Sequence, residues 1–88
     1  MKSIKVVIQD PAGLHARPAT LLVKAASQYK SKLEIKNSSN NVANIKSIIN
    51  LLSLGIKQGE LIEVIADGED EEQAIVGMQH ALEENKLI

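Results

Sequence analysis

The sequence is poor in residues that cross-link small domains and in residues that stack on nucleic-acid bases. It has no cysteine, tryptophan or phenylalanine, and Tyr29 is its single aromatic residue. Without cysteine the fold has neither disulfides nor thiolate metal sites, so packing must hold it together and we expect a reducing compartment, the cytoplasm. One aromatic side chain is too few to stack on single-stranded RNA, and we expect no nucleic-acid partner.

Long apolar runs and metal-ligand patterns are also missing. No apolar stretch approaches membrane-spanning length and no apolar signal segment precedes the first alternating pattern, so we expect no membrane insertion. His15 and His80 have no histidine or cysteine partner at metal-site spacing, and we expect neither a metal nor another cofactor. The length of 88 residues, without linker or repeat, predicts a single domain, 1–88.

Charge is unevenly distributed along the chain, although the formal net charge is only −1. Residues 1–59 hold nine Lys and Arg against two Asp and Glu, whereas residues 60–88 hold one against nine. The basic part includes Arg17, Lys24, Lys46 and Lys57. We therefore expect the surface around these residues to attract acidic protein partners.

Hydrophobic periodicity predicts elements in the order β-α-β-β-α-β-α. The predicted strands are 2–8, a segment around Leu33 and Ile35, Val42-Ala43, and 60–66. The first predicted helix begins near Ala16, and the second covers 45–56. The third follows the capping signature of Asp70 and Gln73. This order predicts an α+β open-faced sandwich, in which a four-stranded, mainly antiparallel sheet carries three helices on one face.

The second predicted helix has more apolar side chains than one buried stripe needs. On one side they are Ile48, Ile49 and Leu52, and on the other Leu51 and Leu54. We expect one face to stay exposed as a protein contact; the alternative is a short helix buried on both sides.

The stretch Gly13 to Ala19 joins a loop to a helix with one histidine at the junction. Gly13 permits a tight turn and Pro18 suits a first helical turn, so the helix is expected to start near His15. The unpaired N–H groups there, including that of Ala16, favour an anion, and the planar fork of Arg17 can bind phosphoryl oxygens. This combination indicates phosphoryl chemistry at His15. The alternative is an exposed loop histidine or an N-cap.

The segment Gly13-Leu14-His15-Ala16-Arg17-Pro18-Ala19-Thr20 resembles the active-site motif of the HPr family. These are the histidine-containing phosphocarriers of the bacterial phosphoenolpyruvate:sugar phosphotransferase system. Residues 45–56 are similar to the family's regulatory-serine segment, although residues 37–44 are one residue longer than the pattern. The resemblance implies that His15 is phosphorylated, that Arg17 binds its phosphate and that Ser47 is the regulatory serine. From the residues alone, without the resemblance, the favoured interpretation of Ser47 is a helix N-cap.

The resemblance also implies partners, and it implies a carrier in a relay rather than a stand-alone enzyme. Phosphorylated enzyme I would donate to His15, and sugar-specific IIA components would accept. HPr kinase/phosphorylase would modify Ser47, and a catabolite-control transcription regulator would bind the product. We expect a monomer whose docking surface includes Thr20, Lys24, Ile48, Ile49 and Leu52. The competing class is a regulatory or interaction domain in which His15 is only an N-cap.

Overall fold

The computed structural model describes residues 1–88 as four strands and three helices. The strands are β1 (Lys2–Val7), β2 (Lys32–Lys36), β3 (Val42–Asn44) and β4 (Leu61–Asp67). The helices are α1 (Ala16–Ala26), α2 (Ile48–Ser53) and α3 (Glu71–Glu84). The order β-α-β-β-α-β-α confirms the prediction. None of the three helices has the length and apolar character that a membrane crossing requires.

The sheet has the strand order β1-β4-β2-β3, and every neighbouring pair is antiparallel. Central β4 lies opposite both β1 and β2, with Val64 paired to Ile4 and to Ile35. Since strand side chains alternate between faces, this register puts Val7, Leu61 and Ile65 on one face, whereas Ile4 and Val6 lie on the opposite face with the buried apolar residues of β2 and β4. The helices cover that face and complete one cluster of 20 buried hydrophobic residues. The other face carries charged side chains, including the Lys36–Glu63 pair at 3.7 Å.

The connection between β2 and β3 is organised by Asn37. Its Oδ1 accepts hydrogen bonds from the N–H groups of Ser39 (3.0 Å) and Asn41 (2.9 Å). Asn40 has φ of +67°, a left-handed conformation that asparagine tolerates. The turn aligns Ile35 with Ala43 and thereby fixes the register of residues 37–44.

Helix α2 is shorter than the predicted range 45–56, since it covers only Ile48–Ser53. Ser47 is its N-cap and accepts a hydrogen bond from the Asn50 N–H at 3.3 Å. Ile45 and Ile56 are buried, but they lie outside the helix and fill the core from its two flanks. Gly55, with φ of +60°, follows the last turn. Periodicity overextended the helix because buried residues adjoin both of its ends.

The predicted capping box at the start of α3 is wrong, because the Asp70 side chain does not cap this helix. Its carboxylate accepts hydrogen bonds from the backbone N–H groups of Lys30 and Ser31, each at 2.9 Å, and from the Ser31 hydroxyl. These bonds, the one from the Ser31 hydroxyl foremost, lower the pKa of Asp70 to about 2. Asp70 therefore ties α3 to the segment that leads into β2.

The residues that follow α3 return to the end of β1. The carbonyl of Leu87 accepts a hydrogen bond from the Gln9 N–H at 2.6 Å, and the Leu87 side chain is fully buried. This segment therefore anchors the start of the loop that leads to α1.

Candidate functional site

The loop between β1 and α1 is held by hydrogen bonds of its own and by the segment after α2. The backbone carbonyl of Asp10 accepts from the Gly13 N–H, and its Oδ1 accepts from the Ala12 N–H, both at 2.8 Å. The Leu14 N–H donates to the Ile56 carbonyl at 3.0 Å. Gly13 has φ of +68°, and a Cβ there would lie 2.3 Å from the same Ile56 oxygen. Only glycine fits this close approach.

His15 is the residue from which α1 begins. Its backbone is extended (φ −94°, ψ −176°), and its side chain makes no capping hydrogen bond. The Ala19 N–H donates to the His15 carbonyl at 3.0 Å, which leaves the N–H groups of Ala16 and Arg17 without intrahelical acceptors. The first turn contains no acidic side chain. This helix N-terminus thus offers free donors and partial positive charge beside an imidazole.

His15 and Arg17 line one open cavity of about 190 Å³. The His15 Nε2 lies 3.8 Å from Oδ1 of Asp10, and the His15 and Asp10 side chains are 42% and 24% exposed. Arg17 is exposed, and its guanidinium forms neither an ion pair nor a hydrogen bond in the structure. The guanidinium is therefore free to bind an incoming anion.

Three other residues of this cavity were not predicted from the sequence, namely Asp10, Leu21 and Asn85. Asp10 could have been found from the sequence, because an aspartate in a loop favours an Asx turn, in which its side chain accepts from the N–H two residues further on. Leu21 lies one turn beyond Arg17 on α1. Asn85 reaches the cavity from the opposite end of the chain, and no local pattern reveals that placement.

Two larger cavities lie away from His15. One of about 460 Å³ is bounded by Tyr29 and the outer side of α3, and one of about 270 Å³ lies on the uncovered sheet face around Lys36 and Glu63. Neither combines a histidine, an arginine and a helix N-terminus. Size alone therefore does not select the reactive site here.

Helices α1 and α2 contact each other, and α2 has an exposed side. Ile49 is 78% exposed and Leu52 is 40% exposed, whereas Leu51 is fully buried. Ile48 is partly buried against the core. Of the predicted exposed face, Ile49 and Leu52 are exposed as expected and Ile48 is not, and its role as a protein contact stays a prediction.

The remaining residues singled out from the sequence also take defined positions. Thr20 and Lys24 are exposed on α1, and the Thr20 hydroxyl donates to the Ala16 carbonyl at 2.9 Å. The half-buried Ser47 accepts a second hydrogen bond from Asn50 Nδ2, at 3.0 Å. His80 is exposed on α3, 3.4 Å from Glu84.

Over nearly its whole length, the chain is similar to known histidine-containing phosphocarriers. A family model described as "PTS HPr component phosphorylation site" matches residues 2–84. The phosphocarrier protein HPr of Mycoplasma genitalium is 50% identical over 88 residues, the full length of both chains. A solved histidine-containing phosphocarrier protein of mycoplasma has a TM-score of 0.96 and 38% identity, covering 99% of this chain and 98% of that one. An HPr dimer from Thermoanaerobacter tengcongensis has a TM-score of 0.74 and 40% identity, covering 100% and 99%.

These matches, together with the fold, define a histidine phosphocarrier. The chain belongs to the HPr family, and its general role is that of a phosphocarrier in the phosphotransferase system.

Proposed function

We propose that His15 receives the phosphoryl group from phosphorylated enzyme I and passes it to sugar-specific IIA components. One observation carries this proposal: the half-exposed His15 ring shares a cavity with an unpaired Arg17 at a helix start whose first N–H groups are free. A nucleophile and a cation therefore line the same open space, at a helix start whose Ala16 and Arg17 N–H groups have no intrahelical acceptor.

The geometry also favours one ring nitrogen of His15 as the nucleophile. Nε2 faces the Asp10 carboxylate, so a proton on Nε2 leaves the lone pair of Nδ1 free to attack. As the Nδ1–P bond forms, the bond between phosphorus and the donor breaks, and its electron pair leaves with the donor. The transferred phosphoryl group then accepts hydrogen bonds from the Ala16 and Arg17 N–H groups and from the guanidinium of Arg17.

The strength of these contacts suits a carrier. The helix dipole contributes about 0.3–1 kcal/mol at an exposed site, and a hydrogen bond to a charged group contributes about 1.5–3 kcal/mol. A site that bound the phosphorylated state much more tightly than the transition state would slow the onward transfer. An open cavity with one arginine holds the phosphoryl group without burying it.

The decisive experiment compares His15→Ala with His80→Ala. We expect wild type and His80→Ala to gain one acid-labile phosphate from phosphoenolpyruvate and enzyme I, and His15→Ala to gain none. Because His80 is the only other histidine and is exposed, it controls for nonspecific labelling. The competing interaction-domain function predicts no labelling of any of the three proteins.

We further propose that enzyme I and the IIA components dock on one surface, defined as Thr20 and Lys24 of α1 together with Ile48, Ile49 and Leu52 of α2. Exposed aliphatic side chains next to basic ones match a contact with an apolar centre and an acidic partner. The contact between α1 and α2 supports a single surface formed by the two helices.

The docking surface is tested by Ile49→Asp with Val76→Asp as the matched control. Both side chains are exposed aliphatic residues on helices, at 78% and 68%, and Val76 lies on α3 away from His15. We expect Ile49→Asp to slow phosphorylation of His15 by enzyme I at least tenfold, as truncation of central interface residues typically does. Equal rates for the two variants would contradict the proposed surface. Leu52→Asp tests the same face at a less exposed position.

We also propose that HPr kinase/phosphorylase modifies Ser47 and that a catabolite-control transcription regulator binds the product. A phosphate on Ser47 would add a charge of about −2 at the start of α2, beside the docking surface. Ser47→Asp keeps an N-capping side chain and adds charge, whereas Ser47→Ala removes the cap, at about 1 kcal/mol of stability, and adds none. We expect only Ser47→Asp to slow phosphorylation of His15, and unchanged kinetics would exclude the charge effect.

The working form that we propose is the monomer. The surface defined above and the His15 cavity are complete within one chain. Sedimentation at assay concentration measures the oligomeric state. A dimer there would contradict this part of the proposal, and the Thermoanaerobacter tengcongensis relative solved as a dimer makes the measurement worthwhile.

A further inference from the structure

Asp10 is the acidic residue next to the proposed phosphoryl-accepting ring. Its Oδ1 lies 3.8 Å from Nε2 of His15, and the same oxygen accepts a hydrogen bond from the Ala12 N–H at 2.8 Å. The turn thus fixes the carboxylate on the Nε2 side of the imidazole. Arg17 lines the same cavity but forms no ion pair with Asp10, so the carboxylate is not neutralised by the nearby cation.

We propose that Asp10 is a positioning residue for the transfer: its carboxylate keeps the ring proton on Nε2 and stabilises the positive charge that the ring gains on phosphorylation. This inference rests on the proposed function of His15. It assigns to Asp10 a role beyond shaping the turn, comparable to a carboxylate that orients a catalytic histidine through its second nitrogen.

The chemical step shows why the charge matters. The lone pair of Nδ1 forms the new N–P bond while the donor takes the electrons of the bond that breaks, and the Nε2 proton stays on the ring. The imidazole therefore becomes cationic as the phosphoryl group arrives. A carboxylate 3.8 Å from Nε2 stabilises this charge, while the new N–P bond forms at Nδ1.

Two substitutions separate the charge of Asp10 from its turn. Asp10→Asn keeps a side-chain oxygen that can accept from the Ala12 N–H but removes the charge. Asp10→Glu keeps the charge on a longer chain that reaches towards Nε2 but does not reproduce the Asx turn. If the charge is what acts, Asp10→Asn loses rate and Asp10→Glu recovers a large part of it. If the turn alone acts, the ranking is reversed.

The rates are measured with potassium phosphoramidate, a small phosphoryl donor, so that docking of a protein partner does not contribute. For Asp10→Asn we expect about a three- to tenfold slower appearance of the His15 phosphorus signal by NMR, with Asp10→Glu within about twofold of wild type. We also expect the ring ¹⁵N signals of the neutral unphosphorylated protein to show Nε2–H in wild type and a larger share of Nδ1–H in Asp10→Asn.

Asp10→Asn with wild-type rates and an unchanged ¹⁵N spectrum would overturn the role of Asp10 while leaving His15 as the phosphorylated residue. A wild-type protein that takes no phosphate on His15 from either phosphoramidate or enzyme I would overturn the proposed function and, with it, this inference. Urea unfolding of each variant identifies any rate loss that comes from an unfolded protein.

Discussion

Helices α1 and α3 begin in opposite ways, although both pack on the same side of the sheet. The first turn of α1 has no acidic side chain, and it opens onto the cavity that His15 and Arg17 line. The first turn of α3 contains Glu71 and Glu72. Oε1 of Glu71 accepts a hydrogen bond from the Gly68 N–H at 3.1 Å, and Oε2 binds the N-terminal amine at 2.8 Å. At α3 the negative charge that a helix N-terminus favours is therefore already supplied by the chain.

A helix dipole alone therefore does not make an anion site. All three helices have the same backbone polarity, but α2 is capped by the Ser47 hydroxyl and α3 is surrounded by its own carboxylates. Only α1 begins beside a histidine and an unpaired arginine. The open end of one helix and the closed end of another follow from side chains in one turn.

The largest expected effect comes from deforming the loop that presents the open end. Gly13→Ala places a methyl group against the Ile56 carbonyl and forces alanine into a left-handed conformation, which together should cost about 2–4 kcal/mol of unfolding free energy. Gly55→Ala is the matched control, because Gly55 also has a positive φ (+60°) but no atom within 4 Å of the added carbon, and should cost about 1 kcal/mol. Urea unfolding measures both, and equal losses would show that the contact with Ile56 is not restrictive.

Removing the Arg17 guanidinium should strongly weaken phosphate binding at the start of α1. We expect Arg17→Ala to slow phosphorylation of His15 by roughly 10- to 100-fold, the equivalent of one lost hydrogen bond to a charged group. Since Arg17 makes no contact with another charge in the free protein, stability should change by less than about 0.5 kcal/mol. The phosphorylation rate of Arg17→Lys should lie between those of wild type and Arg17→Ala, because lysine keeps the charge without the bidentate fork. A wild-type rate in Arg17→Ala would exclude a phosphate contact.

The free N–H groups can be tested one at a time. Ala16→Pro deletes a single N–H at the first helical position, where proline is favoured, and the extended backbone of His15 is compatible with a following proline. With phosphoramidate as the donor, so that docking of enzyme I does not contribute, we expect about a tenfold slower phosphorylation with an unchanged far-ultraviolet circular dichroism spectrum. Ala12→Pro is unsuitable as a control, because Asp10 accepts from the Ala12 N–H. Thr20→Ala, which alters the outer side of the same helix, serves instead. Similar slowing in both variants with phosphoramidate as donor would argue against a role for the Ala16 amide.

Weakening the tie between α3 and the segment before β2 should leave phosphoryl transfer unchanged. The pKa of Asp70 is lowered from 3.8 to about 2, so its stabilising effect is present in full above about pH 4 and is lost as the pH falls towards 2. We expect Asp70→Asn to be less stable than wild type at pH 5 and equally stable near pH 2, by urea unfolding across that range. Its phosphorylation rate at pH 7 should equal that of wild type. A stability gap that stays constant with pH would contradict the assigned hydrogen bonds.

Local patterns were enough to predict most of the architecture. The alternation of Ile4 and Val6 in β1, and of Leu33 and Ile35 in β2, identifies strands with one buried face, and the structure places these residues on that face. The ends of α2 could not be predicted from the sequence. Ile45 and Ile56 are buried like the residues of a helix, but their backbone is not helical. Burial by tertiary contacts and burial by helical periodicity look alike in a sequence.

The residues of the candidate site could be grouped from the sequence only where they are neighbours in the chain. His15, Ala16 and Arg17 are consecutive, so their grouping is visible in the chain. The contacts of Asp70 with Ser31 and the approach of Asn85 to the His15 cavity join residues far apart in sequence. A capping signature describes only four residues. The Asp70 carboxylate instead binds Ser31, which lies 39 residues away in the chain.

The bond from Gln9 to the Leu87 carbonyl bears on how the carrier is shortened or fused for experiments. The family model spans residues 2–84, so a version trimmed to that boundary would retain the complete motif around His15. It would also lose the fully buried Leu87 and the partner of the Gln9 amide, near the start of the loop that presents the histidine. Tags or truncations at this end therefore reach the reactive loop, although they lie more than 60 positions from it in the chain.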